Sequence, residues 1–256
     1  LGHVGTLAVN PALFGKKLPY DPNKDFAPIT LVAKVPNVIA VSEKSNYKTL
    51  ADLVADAKKN PGKINYGSAG NGSAGHLAME YFSSEAGMDL VHVPYKGSGP
   101  MLTDLIGGQI QATFNGMPSL MGQIKGGTLR PLAVGSLERS KVLPNVPTTI
   151  EAGAPNSSYI FWVGIFAPAA TPADVVTKLS GQIKAALELP ETKTRADGAG
   201  VEAAGAGVEA EARQVEAAGV GRERGRAGHV QVGRRSAGPL RALGRRDVQT
   251  EVQVGA

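Results

Sequence analysis

The chain has 256 residues, 42% of them hydrophobic, with 33 glycines, 17 prolines, no cysteine and a formal net charge of +5. Such a composition is globular and turn-rich, and it excludes a disulfide scaffold and thiol chemistry. The longest apolar runs, Leu31 to Val35 and Tyr159 to Pro168, fall well short of the roughly 18 residues of a membrane helix, and the length suits one large domain or two small ones.

Leu1-Gly2-His3-Val4-Gly5-Thr6 reads as the end of a strand turning into a loop, which implies further sequence upstream. No charged stretch followed by an apolar one marks a targeting peptide. Thr49-Leu50-Ala51-Asp52 has the capping-box pattern, and Leu50, Leu53, Val54 and Ala57 share one helical face, so the spacing predicts a helix over 50–59 that Asn60-Pro61-Gly62 stops. Three units of one grammar follow. Ile64 to Tyr66 is a strand, Gly67 to Ser73 a loop of small residues, and Ala74, Leu77, Ala78 and Tyr81 the apolar face of a helix. Leu90 to Pro94, Tyr95-Lys96-Gly97-Ser98-Gly99 and a helix opening near Pro100 repeat the pattern. Ile110 to Phe114, Asn115-Gly116-Met117-Pro118-Ser119 and a helix ending at Gly126-Gly127 repeat it again, before a further strand over Leu129 to Val134. Strands alternating with helices predict a mostly parallel α/β sheet with all three loops at its carboxyl edge. Each loop opens a helix whose first-turn N–H groups and dipole favour an anion, so a carboxylate or phosphate would fit there.

The composition changes at Arg195. From that residue on there are ten arginines and no lysine, and the segment lacks Ile, Phe, Tyr, Trp, Met and Asn. Residues 196–256 therefore read as a low-complexity tail, disordered or translated out of frame from GC-rich sequence. Eight acidic residues from Asp197 to Glu251 offset its charge and speak against a nucleic-acid arm. A frameshift near Arg195 is the expectation, and resequencing the locus tests it.

Gly70-Asn71-Gly72-Ser73-Ala74-Gly75 matches G-x-G-x-x-G, and Asp89 follows at roughly the spacing of a ribose-binding acid. That makes a nucleotide-dependent enzyme the alternative reading. Asp89 nevertheless precedes its strand, whereas the carboxyl end carries Tyr95 and Lys96. A bare strand-to-helix turn capped by Ser73 needs fewer small polar donors than Ser68, Asn71 and Ser73 supply, which favours an anion pocket. The four histidines, His3, His76, His92 and His229, show no metal-ligand spacing, and Ser73 with His76 lacks both the G-x-S-x-G turn and an orienting acid. No catalytic residue, metal or cofactor is expected. His76 reads as a donor at the helix N-terminus or a packed residue, His92 as structural, and Lys96 as a rim lysine or a solvated one.

Several stretches together resemble the Bug-type extracytoplasmic solute receptors of tripartite tricarboxylate transporters. They are Gly5-Thr6-Leu7-Ala8-Val9-Asn10-Pro11-Ala12-Leu13, Leu18-Pro19-Tyr20-Asp21-Pro22 with Asp25-Phe26-Ala27-Pro28-Ile29, Tyr66-Gly67-Ser68-Ala69-Gly70-Asn71-Gly72-Ser73, His92-Val93-Pro94-Tyr95-Lys96-Gly97, Leu143-Pro144-Asn145-Val146-Pro147-Thr148, and Trp162-Val163-Gly164-Ile165-Phe166-Ala167-Pro168 leading to Thr171-Pro172. The resemblance runs in order from about residue 1 to 195. It implies a two-lobed, type II periplasmic binding protein fold, with residues 1–41 and 161–195 in the first lobe, 42–160 in the second, and a hinge near Val38 to Ser42 and Tyr159 to Gly164. It also implies that the opening strand and helix of the first lobe are absent before Leu1 and that the tail replaces the closing helix, leaving the second lobe complete and the first incomplete. On this resemblance the protein is a periplasmic, monomeric receptor and not an enzyme. It would capture a small carboxylate for membrane transporter subunits or a sensor kinase. The implied ligand-binding residues are Gly5, Thr6, Ser68, Gly70, Asn71, Gly72, Ser73, His76, Tyr95, Lys96 and Asn115. Asn115 stands where such receptors commonly carry an Asp. An amide there removes a partner for an ammonium group, which favours a simple carboxylate over an amino acid.

Overall fold

The computed structural model describes residues 1–204; the tail reading from residue 205 onward lies outside the described residues. The chain begins with a short strand β1 (Gly2–His3), then a wide helical turn at Gly5–Val9 that runs into α1 (Asn10–Phe14). β2 (Phe26–Ser42) leads to α2 (Leu50–Lys59), where Thr49 Oγ1 accepts the Asp52 N–H and the Asp52 carboxylate accepts the Thr49 N–H, as the capping box requires. The three predicted units are β3 (Asn65–Ser68) with α3 (Ala74–Ala86), β4 (Val91–Pro94) with α4 (Ser98–Gly107), and β5 (Ala112–Gly116) with α5 (Met117–Lys125). β6 (Leu129–Val134), β7 (Ile160–Pro168), α6 (Ala173–Glu188), α7 (Pro190–Ala199) and β8 (Glu202–Ala203) complete it. The composition boundary at Arg195 falls inside α7, and β8 pairs with β2 at Ala33 and Lys34.

The strands follow the order β1-β7-β2-β5-β3-β4, with β6 and β8 also on β2. Between the named strands of the described residues, only β3 with β4 and β3 with β5 pair in parallel; every pairing of β2 and of β7 is antiparallel. The expected mostly parallel sheet is thus corrected to a mixed one. β2 runs out and β7 runs back beside it, and two neighbouring strands that cross the molecule in opposite senses pair antiparallel. β2 serves two groups of strands in turn: Phe26 to Pro36 pairs with β7, and Asn37 to Ser42 with β5 and β6. Tyr159 N–H donates to the Gly135 carbonyl and Gly135 N–H to the Asn37 carbonyl, so the chain passes out and back at one level.

Side chains alternate across β2, which divides the core. Ile39 and Val41 pack with Leu53, Tyr66, Phe82 and Phe114 on the α2 and α3 face, and Val38 and Ala40 with Met101, Leu105, Met117 and Leu120 on the α4 and α5 face. On α3 the buried residues are Gly75, Ala78, Met79, Phe82 and Ser83; the predicted Tyr81 is 42% exposed, its hydroxyl donating to the Asn156 carbonyl. The buried face is rotated by about one position from the predicted one, because Phe82 meets Phe114 edge-to-face at 6.1 Å.

Candidate functional site

Parallel pairing of β3 with its two neighbours delivers the three glycine-rich turns to one edge, and hydrogen bonds tie them together. Tyr95 N–H donates to the Ser68 carbonyl at 3.1 Å and Gly97 N–H to the Ala69 carbonyl at 3.3 Å, joining the first turn to the second. Asn115 Nδ2 donates to Ser98 Oγ at 3.1 Å and its Oδ1 accepts the Gly116 N–H, joining the third turn to the start of α4. A Cβ on Gly75 would come 3.0 Å from the Phe114 carbonyl, so only glycine lets α3 begin this close to β5.

Ser68 organises the first turn from beneath. It is fully buried, its Oγ donates to the Gly70 carbonyl at 3.0 Å and accepts the Gly70 N–H at 3.2 Å, and His92 Nε2 lies 2.7 Å away. All three contacts are satisfied when neutral His92 carries its hydrogen on Nε2 and donates to Ser68. Gly70 has φ +132°, a conformation that side-chain-bearing residues rarely adopt. Ser73 caps α3 by accepting the His76 N–H, and His76 Nδ1 accepts the Gly72 N–H at 3.1 Å. The His76 ring stacks on His92 at 4.0 Å, and His92 stacks on Tyr66 at 4.9 Å. Burial, joined by the nearby His76 ring, pushes the His92 pKa down to about 4, and burial also lowers that of His76; Glu80 opposes both shifts.

Opposite the first turn lies the N-terminal segment. A Cβ on Gly5 would come 3.5 Å from the Gly72 carbonyl. Thr6 Oγ1 donates to the His3 carbonyl at 3.0 Å and accepts the His3 N–H, holding that segment in its turn. The geometry thus brings Gly5, Thr6, Ser68, Gly70, Gly72, Ser73, His76 and Asn115 to one region. Asn71 is exposed on the rim, and Lys96 is exposed with no partner among the described residues. The Tyr95 hydroxyl donates to Asp104 at 2.7 Å, so it is this residue's backbone that reaches the first turn. Asp89 accepts the Gly62 N–H through its carbonyl at the opposite end of β4 from Tyr95, so the acid that a bound ribose would require is not at this edge. A cavity of about 560 Å³ opens at that opposite edge, but Tyr47 is bonded to Asp56 and Ser42 to the Ile106 carbonyl within it.

Two residues of this network stand outside the implied ligand-binding residues. His92, expected to be structural, supports Ser68, a partner that becomes visible only once β3 and β4 are aligned so that Tyr66 faces His92. Ser98 partners Asn115, and nothing in its own neighbourhood distinguishes it from the other small residues of its loop.

Residues 2–218 match the model of the tripartite tricarboxylate transporter family receptor. The chain belongs to this family. A UPF0065 protein from the tcbD-tcbE intergenic region of Pseudomonas sp. strain P51 is 36% identical over 192 residues, which cover 75% of this chain and 57% of that relative. The chain spans little more than half the length of the curated relatives it matches. An R. palustris protein solved with adipate superposes with a TM-score of 0.77 at 35% identity, covering 85% of this chain and 72% of its own. MatC from Rhodopseudomonas palustris, solved with bound malate, gives 0.71 at 30% identity, with 79% and 68% covered. The fold is therefore that of the periplasmic binding proteins, and the family is one of receptors, not of enzymes. The family match runs to residue 218, so the expected end of the resemblance near residue 195 is corrected.

Proposed function

We propose that this receptor captures a small carboxylate in the periplasm and delivers it to the membrane subunits of a tripartite tricarboxylate transporter or to a sensor kinase. The observation that carries the reading is the meeting of three helix-opening turns at one sheet edge, with Gly5 facing Gly72 across it. A carboxylate placed there would find first-turn N–H groups and the positive end of the α3 dipole, with glycines permitting close approach. Residues 1–41 and 161–195 form one lobe and 42–160 the other, with the hinge near Val38 to Ser42 and Tyr159 to Gly164, beside the point at Pro36–Asn37 where β2 changes partners. Ligand closes the two because it contacts both in the closed state alone. Relatives solved with adipate and malate support a simple di-acid. So does Asn115, which offers an ammonium group no carboxylate.

Isothermal titration against a panel of di- and tricarboxylates tests the assignment. Saturable binding of at least one member, with amino acids inactive, is expected. Absence of heat with every carboxylate, or preference for a nucleotide, refutes it.

A further inference from the structure

Two glycine amides, in segments that lie against each other at the site, are each held by a histidine ring. Gly5 N–H donates to His3 Nδ1 at 3.1 Å, and Gly72 N–H donates to His76 Nδ1 at 3.1 Å. Gly5 in turn lies against the Gly72 carbonyl. A ring nitrogen accepts a hydrogen bond only while it carries no proton, so both contacts require neutral imidazoles with the hydrogen on Nε2. In this state both amides are turned back on their own loops.

We propose that His3 and His76 are proton-operated positioning residues: protonating either ring releases its glycine amide to the bound carboxylate and sets a positive charge beside it, so that capture takes up protons. The inference rests on the carboxylate-receptor reading above. The surroundings suit such a switch. His76 is faced by Glu80 one turn along α3, by His92 stacked on it from β4, and by Tyr66 of β3 behind His92, whose hydroxyl donates to Glu80. His3 meets the uncharged Phe161 ring of β7 at 5.3 Å and Thr6. Burial lowers the pKa of both rings in the free chain, with Glu80 opposing the shift at His76. An anion alongside favours the charged ring and raises its pKa. Between the free and bound pKa values each ring gains a proton on binding, and affinity therefore rises as pH falls.

Two measurements on the full chain test this. In amide NMR spectra of the free protein, the Gly5 and Gly72 resonances are expected to move as the pH falls, with the same midpoints as the His3 and His76 rings. In His3→Asn and His76→Asn, whose side-chain oxygen still accepts the glycine N–H but cannot be protonated, the matching resonance stays fixed. Glycine resonances that ignore their histidines overturn the proposal. Calorimetry with adipate and malate near pH 6, in two buffers of different ionisation heat, then reads the protons directly. Wild type takes up protons and gains up to about tenfold in affinity per pH unit for each full proton, whereas the double Asn variant binds without uptake. Binding by wild type with no proton uptake also overturns the proposal, whether or not the variants fold. Titrating glycine resonances with no binding of any di- or tricarboxylate of the panel would instead sink the receptor reading, and the coupling with it.

Discussion

Gly70→Val is expected to weaken carboxylate binding by at least about 100-fold, roughly 2.7 kcal/mol, while the core stays folded. Gly70 sits at φ +132°, and a Cβ there would come 3.3 Å from the Tyr95 carbonyl. A β-branched side chain must therefore rebuild the turn. Rebuilding moves the Gly70 N–H and carbonyl off Ser68 and pulls the first turn from the second, since Tyr95 and Gly97 are both bonded to it. The loop strain itself costs about 1–3 kcal/mol, small beside the buried core. Titration calorimetry alongside thermal unfolding separates the two effects. An affinity within about threefold of wild type would mean that the ligand does not depend on this turn.

The largest loss of stability is expected from Phe114→Ala, at about 3–5 kcal/mol. Phe114 is fully buried on β5, edge-to-face with Phe82, and its ring lies within 2.7 Å of where a Gly135 Cβ would be. It thus fills the space left by Gly135, the residue through which Asn37 and Tyr159 are linked at the passage between the two strand groups. Truncation opens a void there that the surrounding strands cannot close, because all are held in ladder hydrogen bonds. Urea unfolding measures the loss. A change below about 1 kcal/mol would show that the site collapses freely, contrary to close packing.

Where local chemistry decides the structure, the sequence is readable. α2 begins and ends where its capping box and Asn60-Pro61-Gly62 place it, β6 spans the residues expected, and the three loop–helix units lie where glycine and small polar residues mark them. β2 is harder to read. Pro28 and Pro36 interrupt a 17-residue strand that would otherwise be plain, and the structure absorbs Pro28 at a register shift and places Pro36 where pairing passes from β7 to β5. The antiparallel pairing of β2 with β7 joins residues more than a hundred positions apart, a relation that periodicity does not contain. At the site, the turns that converge could be named from their residues. The imidazole network beneath them could not, because the Tyr66–His92–His76 stack depends on the register between β3 and β4 and on the rotation of α3.

The central claim is that backbone amides of several crossover turns hold one carboxylate. A crystal structure of the chain with adipate tests it most directly. The account predicts a carboxylate oxygen about 2.7–3.2 Å from backbone nitrogens of the 69–74 turn, with the Gly5–Thr6 segment on its other side. Adipate seated instead in the cavity at the opposite edge, between Ser42 and Gln111, would contradict it.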